Sequence, residues 1–561
     1  MRCRLTPGRV AGAVLSLVAV GALSVGGTPG VAKAAGVAPR ASATASSTGR
    51  RTPDARVPDV VATPLPRTVD VGGTTYVDRG LVAAGVLPAG TVDFLGDTLG
   101  SFSSLSIEPG TWKREGDTYT GVLWTLPDRG RNDPEHNVFF DYRGRLHRFR
   151  FTLSLESQPG MVRLVPEGGR VLHDFDGRPF TGAEPAKGLR TERGIVLPSP
   201  AAGIGAGKIS LDAESLQFTR DGGFYIGDEY AANVYRFDAK GALAGIIVPP
   251  TAVRPMDAEG LPDFTSLRPP ASGRRNNQGV EGMALSPDGK RLFVVLQSAL
   301  VQDSAKVPAP ARAPARAPAP APAPATTMAM ARADLPVDTS GRTLTRVLVY
   351  DVSHGTTPSM PVAHYIVPLP AYNDTGSGAA PNRTAAQSEI RVLDDHRFLM
   401  LARDGNGYGA EGGKPIVFKS VLLVDVDGAI NLAGTAYESS TLSVLDNGGR
   451  LRSGLKTAAT TPFVNLLDPD DLARFGLGID AAVPGRTQLS EKWESMDLQP
   501  ALDAARPDDW FLIVGNDNDF IARHCVMDGQ PCDSAIDNDN RILVYRLTLP
   551  GMRSTAASNH R

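Results

Sequence analysis

Cysteine is nearly absent from this chain of 561 residues, which has three. That is too few for a disulfide-dense scaffold. An excess of one charge is also lacking. The formal net charge is −2, which gives no reason to expect nucleic acid or an anionic membrane surface as a partner. Long stretches of helical period are few. Three motifs are missing outright: the G-x-S-x-G elbow of serine esterases, a Walker-type glycine loop and an H-E-x-x-H zinc helix. A serine-nucleophile elbow, a nucleotide-phosphate loop and a zinc-protease helix are therefore set aside.

What is present begins with an export signal. Arg2, Arg4 and Arg9 precede an apolar run from Val10 to Val25, followed by Ala32, Lys33 and Ala34 as an A-x-A cleavage site. The run is short and interrupted by Gly and Ser, so residues 1–34 read as a signal peptide, with an uncleaved anchor as the alternative. Residues 35–66 are rich in Ala, Ser, Thr, Pro and Arg. They carry too little apolar surface to offset ordering entropy and read as a disordered leader. Cys3 leaves with the signal, and Cys525 and Cys532 remain. In an oxidising compartment this close pair is expected to form a loop-closing disulfide, against the alternative of free thiols or half a metal site.

The rest of the chain alternates apolar strand-like runs with Asp-Gly and Asn-Gly turns, and one unit recurs. Its clearest copy runs from Asp212 to Glu229 and on to Gly241. Others run from Val280 to Gln297 with Thr345–Val352, from Ser388 to Asp404 with Ser420–Gly428, and from Trp493 through Asp517 to Arg546. A degenerate copy comes first, in Ser103–Ile107, Gly121–Gly130 and Leu146–Phe151. Strand, turn, strand, loop, strand is the blade of an all-β propeller. Five units are visible and Met161–Val196 leaves room for another, so six blades are expected over residues 67–550, with seven as the alternative. The ring is expected to close by pairing the two chain ends, and residues 551–561 read as a disordered tail. An Ala-Pro tract, within an insertion at about 303–340, reads as an extended surface loop inside one blade.

In a blade, the start of the innermost strand and the end of the next share one face. Acidic residues recur at both places. Strand starts give Glu214, Glu281 and Glu494, and returning ends give Asp128, Asp228, Glu229, Asp404, Asp517 and Asp519. Carboxylates gathered at a channel mouth repel unless protons or a cation neutralise them. All-oxygen donors suit a hard divalent ion, Ca²⁺ before Mg²⁺, with Asn516, Asn518 and Gln278 as neutral additions. Against this, strand-end carboxylates often accept from the amides of adjacent turns. Aligning Ile390 with Leu216, Met283 and Met496 places Ser388, not Glu389, opposite the three glutamates.

Taken together, Trp124–Asn132, Glu214–Leu216 with Gly227–Tyr230, Gln278–Met283 with Leu296–Ser298, Ser388–Ile390 with Ala402–Gly405, and Trp493–Met496 resemble the phytase-like family, "esterase-like activity of phytase". The resemblance spans about Thr91 to Leu549. It implies a secreted propeller hydrolysing small-molecule esters or phosphoesters. It supplies no catalytic set to carry over, and Ser103 and Ala402 depart from a complete acidic ring.

Ser215 and Ser495 follow glutamates on inner strands and read as blade packing. Metal-assisted hydrolysis is then the expected chemistry, with His136, Arg129 and Arg131 as candidate catalytic or anion-holding residues. The alternatives are a non-catalytic, calcium-stabilised extracellular binding propeller and a calcium-dependent lactonase. A monomer is expected, without nucleic acid and without membrane attachment once the signal is cleaved.

Overall fold

The computed structural model describes residues 60–304, 341–379, 381–410, 413–480 and 485–552, all within the compact unit Pro53–Arg561. The expected signal peptide, most of the leader, nearly all of the Ala-Pro insertion and the end of the tail lie outside the described residues.

Antiparallel strands group into five four-stranded blades, three of them separate sheets and the other two joined into one ten-stranded sheet by the parallel pairing of Ala83 and Ala84 with Gly160 and Met161. Blade 1 is Ser104–Ile107, Thr118–Leu126, Arg145–Ser154 and Gly160–Val171. Blade 2 is Ala213–Phe218, Phe224–Asp228, Val234–Phe237 and Leu243–Ile247, and blade 3 is Val280–Leu285, Arg291–Leu296, Leu344–Asp351 and Ala363–Pro368. Blade 4 is Ala386–Val392, Arg397–Arg403, Lys419–Asp425 and Ala459–Asn465. Blade 5 is Lys492–Pro500, Asp509–Asp517, Asn540–Thr548 and, from the other end of the chain, Thr74–Leu87. Asn540 to Thr548 pairs antiparallel with Leu87 to Val77, so the expected closure by the chain ends is observed and a sheet edge is removed.

The two inner strands of blades 2 to 5 are buried on both faces, which is why they read as nearly continuous apolar runs. Along Arg291–Leu296, Leu292, Val294 and Leu296 pack toward blade 2, whereas Phe293 and Val295 pack toward blade 4. The same division recurs around the molecule. Separate apolar cores lie between blades 1 and 2, 2 and 3, 3 and 4, 4 and 5, and 5 and 1. Among the described residues this cycle passes through five blades, against the six expected. The stretch from Met161 to Val196 supplies the outer strand of blade 1 and a two-stranded hairpin, Leu189–Glu192 with Ile195–Pro198, and no inner strand facing the axis. On either side of the Ala-Pro tract, Arg291–Leu296 and Leu344–Asp351 are hydrogen-bonded neighbours.

Polar pins fasten the inner strands to one another. Glu389 accepts from Ser104 Oγ at 2.7 Å and from the Met283 amide at 3.1 Å, joining blades 4, 1 and 3. Ser104 Oγ in turn accepts from the Leu216 amide of blade 2 at 3.0 Å. Arg391 donates to Leu105 O at 2.9 Å and to Asp497 Oδ1 at 3.2 Å, which brings in blade 5.

Candidate functional site

Each inner strand of blades 2 to 5 carries an irregularity at the same place. The register skips Glu214, Glu281, Ser388 and Glu494 while Leu216, Met283, Ile390 and Met496 keep their partners. A bulge adds an unpaired residue and re-aims its side chain. The alignment that set Ser388, not Glu389, against the three glutamates is therefore the structural one. Glu389, one residue on, is consumed as the pin described above.

Beside these bulges lies a cavity of about 260 Å³ lined by Asp128, Arg129, Arg131, Asp212, Glu214, Lys492 and Asp519, with Asn132 and Asn277. Asp128 follows the second strand of blade 1, and its Oδ1 accepts from the Gly130 amide at 2.8 Å. Gly130 has φ +90°, and a Cβ there would stand 2.7 Å from the Tyr142 ring and 2.9 Å from Met527 Sδ. A side chain is thus excluded by both backbone and space. Arg129 runs between the rings of Phe139 and Tyr230, at 5.9 and 5.8 Å. Its Nη1 is 3.0 Å from Asp212 Oδ2, yet neither atom has a hydrogen bond of good geometry. Arg131 has no side-chain hydrogen bond or ion pair among the described residues.

Carboxylate oxygens converge in two groups. One oxygen each from Asp128, Asp212 and Glu214 lies within 4.8 Å of the others, and so does one each from Asp128, Asp517 and Asp519. Glu214 is 8% exposed and has no hydrogen-bond or ion-pair partner among the described residues. A buried carboxylate in that position calls for a proton or a cation. Burial, followed by the charge of Asp212, pushes Asp128 up to about 7. Burial and Glu281 raise Glu214 well above the carboxylate range, and burial with Asp519 does the same to Asp517. Asp519 goes the other way: burial raises it, but the charge and hydrogen bond of Lys492, with Glu491 and Arg131, together lower it further.

The predicted acids divide by what holds them. Asp128, Glu214, Asp517 and Asp519 are brought together at the cavity. Asp228 is engaged by the amides of Asp212 and Ala231 at 3.1 and 2.7 Å, and Asp404 by those of Val417 and Phe418 at 2.6 and 2.9 Å. Glu494 is paired with Arg403, which together with Lys492 keeps it ionised against its burial. Glu229 accepts from the Gly279 amide and Glu281 from Gln297 Nε2, at 3.1 and 2.9 Å. Asn516 and Asn518 are spent on backbone groups. His136 does not line the cavity: it sits on the exposed turn Pro134–His136, with Nδ1 2.7 Å from Asp133 Oδ2. Ser215 Oγ and Ser495 Oγ are buried without hydrogen bonds, each against a glycine across the strand pair.

A family model for phytase-like proteins, "Esterase-like activity of phytase", matches residues 98–520. The chain belongs to the phytase-like family. An "Uncharacterized secreted protein" of Arthroderma benhamiae is 30% identical over 505 residues, covering 82% of this phytase-like chain and 90% of the relative. Among solved structures, a PQQ-bound aldose sugar dehydrogenase of Streptomyces coelicolor is 12% identical, covering 83% of this chain and 99% of that one, with a TM-score of 0.26. A GH43 protein of Bacillus licheniformis is 11% identical over 73% of this chain and 59% of its own, with a TM-score of 0.24. TM-scores this low lend neither likeness weight.

The sequence reading picked out Arg129 and Arg131, which line the cavity, but by following acids along the phytase-like repeat it missed Lys492 and Arg403. Lys492 precedes the bulge residue Glu494 by two positions, as Asp212 precedes Glu214. The same register position thus carries opposite charges in two blades. Comparing that position across the copies would have found both. Arg403 precedes the predicted Asp404 and was hidden by the same preference for carboxylates.

Proposed function

We propose that this phytase-like chain is an exported hydrolase of small-molecule esters, phosphate esters among them, acting at the cavity beside the inner-strand bulges with help from a divalent cation. The observation that carries this reading is the convergence of Asp128, Asp212 and Glu214 within 4.8 Å beside the guanidinium groups of Arg129 and Arg131. Export is supported by the basic and apolar N-terminus and by the secreted relative. Among the described residues no helix is long and apolar enough to cross a membrane.

The donor set fits a hard cation. It is all oxygen, and Glu214 has no other partner among the described residues, so Asp128, Asp212 and Glu214 would hold the ion, with calcium the best match to a loose carboxylate cluster. When bound, such an ion polarises an ester oxygen and lowers the pKa of a water. The chain itself supplies binding and orientation. Arg131 is uncommitted and Lys492 lines the same cavity, so an anionic group entering it meets positive charge as well as carboxylates. A purely acidic mouth would repel phosphate, and these cations offset that repulsion.

The test is turnover on a panel of phosphate monoesters, carboxylic esters and lactones, with Ca²⁺ and with chelator. Turnover is expected to need the ion and to fall at least a hundredfold in Asp128→Asn and Glu214→Gln, with circular dichroism unchanged. Turnover that survives both substitutions refutes the site. Calcium binding without turnover on any substrate favours a binding propeller, and turnover confined to lactones favours a lactonase.

A further inference from the structure

The two carboxylate groups share Asp128. Asp212 and Glu214 complete one compartment, and Asp517 and Asp519 the other. Two oxygen-rich compartments joined by one carboxylate have the layout of a two-cation site. They differ in what neutralises them. In the second, Lys492 Nζ lies 2.6 Å from Asp519 Oδ1 and 3.7 Å from Asp517 Oδ2. In the first, Asp212 faces Arg129, and Glu214 has no partner among the described residues although it is 8% exposed.

We infer that Lys492 is a built-in cation standing in for a second divalent ion, so that the cavity takes one ion, at Asp128, Asp212 and Glu214, and no more. The inference rests on the proposed role of those three residues as ion ligands. An ammonium group brings one positive charge and three donors, enough to hold Asp517 and Asp519 together. Unlike a divalent ion, it is not a Lewis acid and cannot coordinate and polarise an ester oxygen. The two compartments therefore have separate tasks. One is left to an exchangeable ion, and the other is permanently closed by a side chain whose ammonium faces the same cavity as Arg131. An anionic ester is accordingly bound between a metal on one side and a fixed monovalent charge on the other.

Calcium titration calorimetry and elemental analysis on the full exported chain, stripped with chelator, decide this. The wild type is expected to bind one Ca²⁺ per chain. Lys492→Gln and Lys492→Met are each expected to bind two, and Lys492→Arg, which keeps the charge, one. Adding Asp519→Asn to Lys492→Gln is expected to return the count to one, which locates the extra ion. A count of one in both uncharged variants overturns the inference while leaving the single-ion reading intact, whereas a count of two in the wild type overturns the inference and shows that Lys492 does not keep a second ion out. A wild type that binds none overturns the ion itself and the inference with it. If the double variant still binds two, the second ion lies elsewhere and Lys492 does not stand in for it.

Discussion

Lys419 Nζ lies 2.7 Å from Asp404 Oδ1, and neither side chain has any exposed surface. The ammonium also donates to Asn406 O at 2.9 Å and to Glu491 O at 2.6 Å. Its three donors are therefore all used, and blade 4 is tied to the residue that precedes Lys492. Breaking a buried pair costs more than the pair itself contributes, because the surviving charge is stranded. Lys419→Met is expected to lower unfolding stability by about 3–5 kcal/mol, read as a lower urea midpoint with an unchanged slope. A midpoint within error of wild type contradicts that account.

How far the sequence disclosed this molecule follows from where its information is local. Strand alternation and Asp-Gly turns are local, so the blade units, the closure by chain ends and the register of Ser388 against Glu214, Glu281 and Glu494 were readable. The extent of each unit was not. Met161–Val196 has the length of a blade, but only the pairing of Gly160–Val171 with Arg145–Ser154 shows that its first third belongs to blade 1. The site was half readable for a similar reason. Acids at equivalent strand ends announce a shared face, yet whether a carboxylate stays free depends on distant partners. Asp404 meets Lys419 from the next strand, Glu494 meets Arg403 from the neighbouring blade, and Asp228 caps its own turn. Nothing in the spacing of these residues distinguishes them from Asp128 and Glu214.

His364 offers a prediction about acid. It is fully buried, with Nδ1 3.3 Å from Glu438 Oε2 and Nε2 3.1 Å from Arg346 Nη1, and Arg346 Nε donates to Asp303 Oδ2 at 2.8 Å. A guanidinium can only donate, so Nε2 is the acceptor and Nδ1 carries the proton toward Glu438. Burial, with Arg346 adding to it against the pull of Glu438, lowers His364 from its ordinary 6.5 to about 4. A depressed folded-state value means that the unfolded chain takes up the proton first. The contribution is fully present above about pH 6.5 and is lost as pH falls through about 4, amounting to roughly 3 kcal/mol over that window. His364→Gln is expected to be less stable at pH 7 but to show a shallower loss between pH 6.5 and 4. Urea midpoints at several pH values check this, and parallel profiles for the two proteins exclude His364 as the source.

The disulfide Cys525–Cys532 closes the hairpin Val526–Met527 with Gln530–Pro531, and this hairpin backs the loop that carries Asp128. Met527 Sδ accepts from the Arg131 amide at 3.1 Å. Val526 O accepts from the Thr98 amide at 2.7 Å, and the Asp528 amide donates to Asp97 Oδ1 at 2.8 Å. Linking residues seven apart restricts the unfolded chain only modestly, so Cys525→Ser with Cys532→Ser is expected to cost about 2 kcal/mol of stability. The consequence for the site is expected to be larger than that figure suggests. Gly130 has no side chain of its own to hold position and depends on Tyr142 and Met527, so loosening the hairpin releases the turn that orients Asp128. Calcium affinity of the double variant is therefore expected to fall several-fold below wild type in titration calorimetry at a temperature where both remain folded. An unchanged affinity alongside the expected loss of stability places the hairpin's role in folding alone.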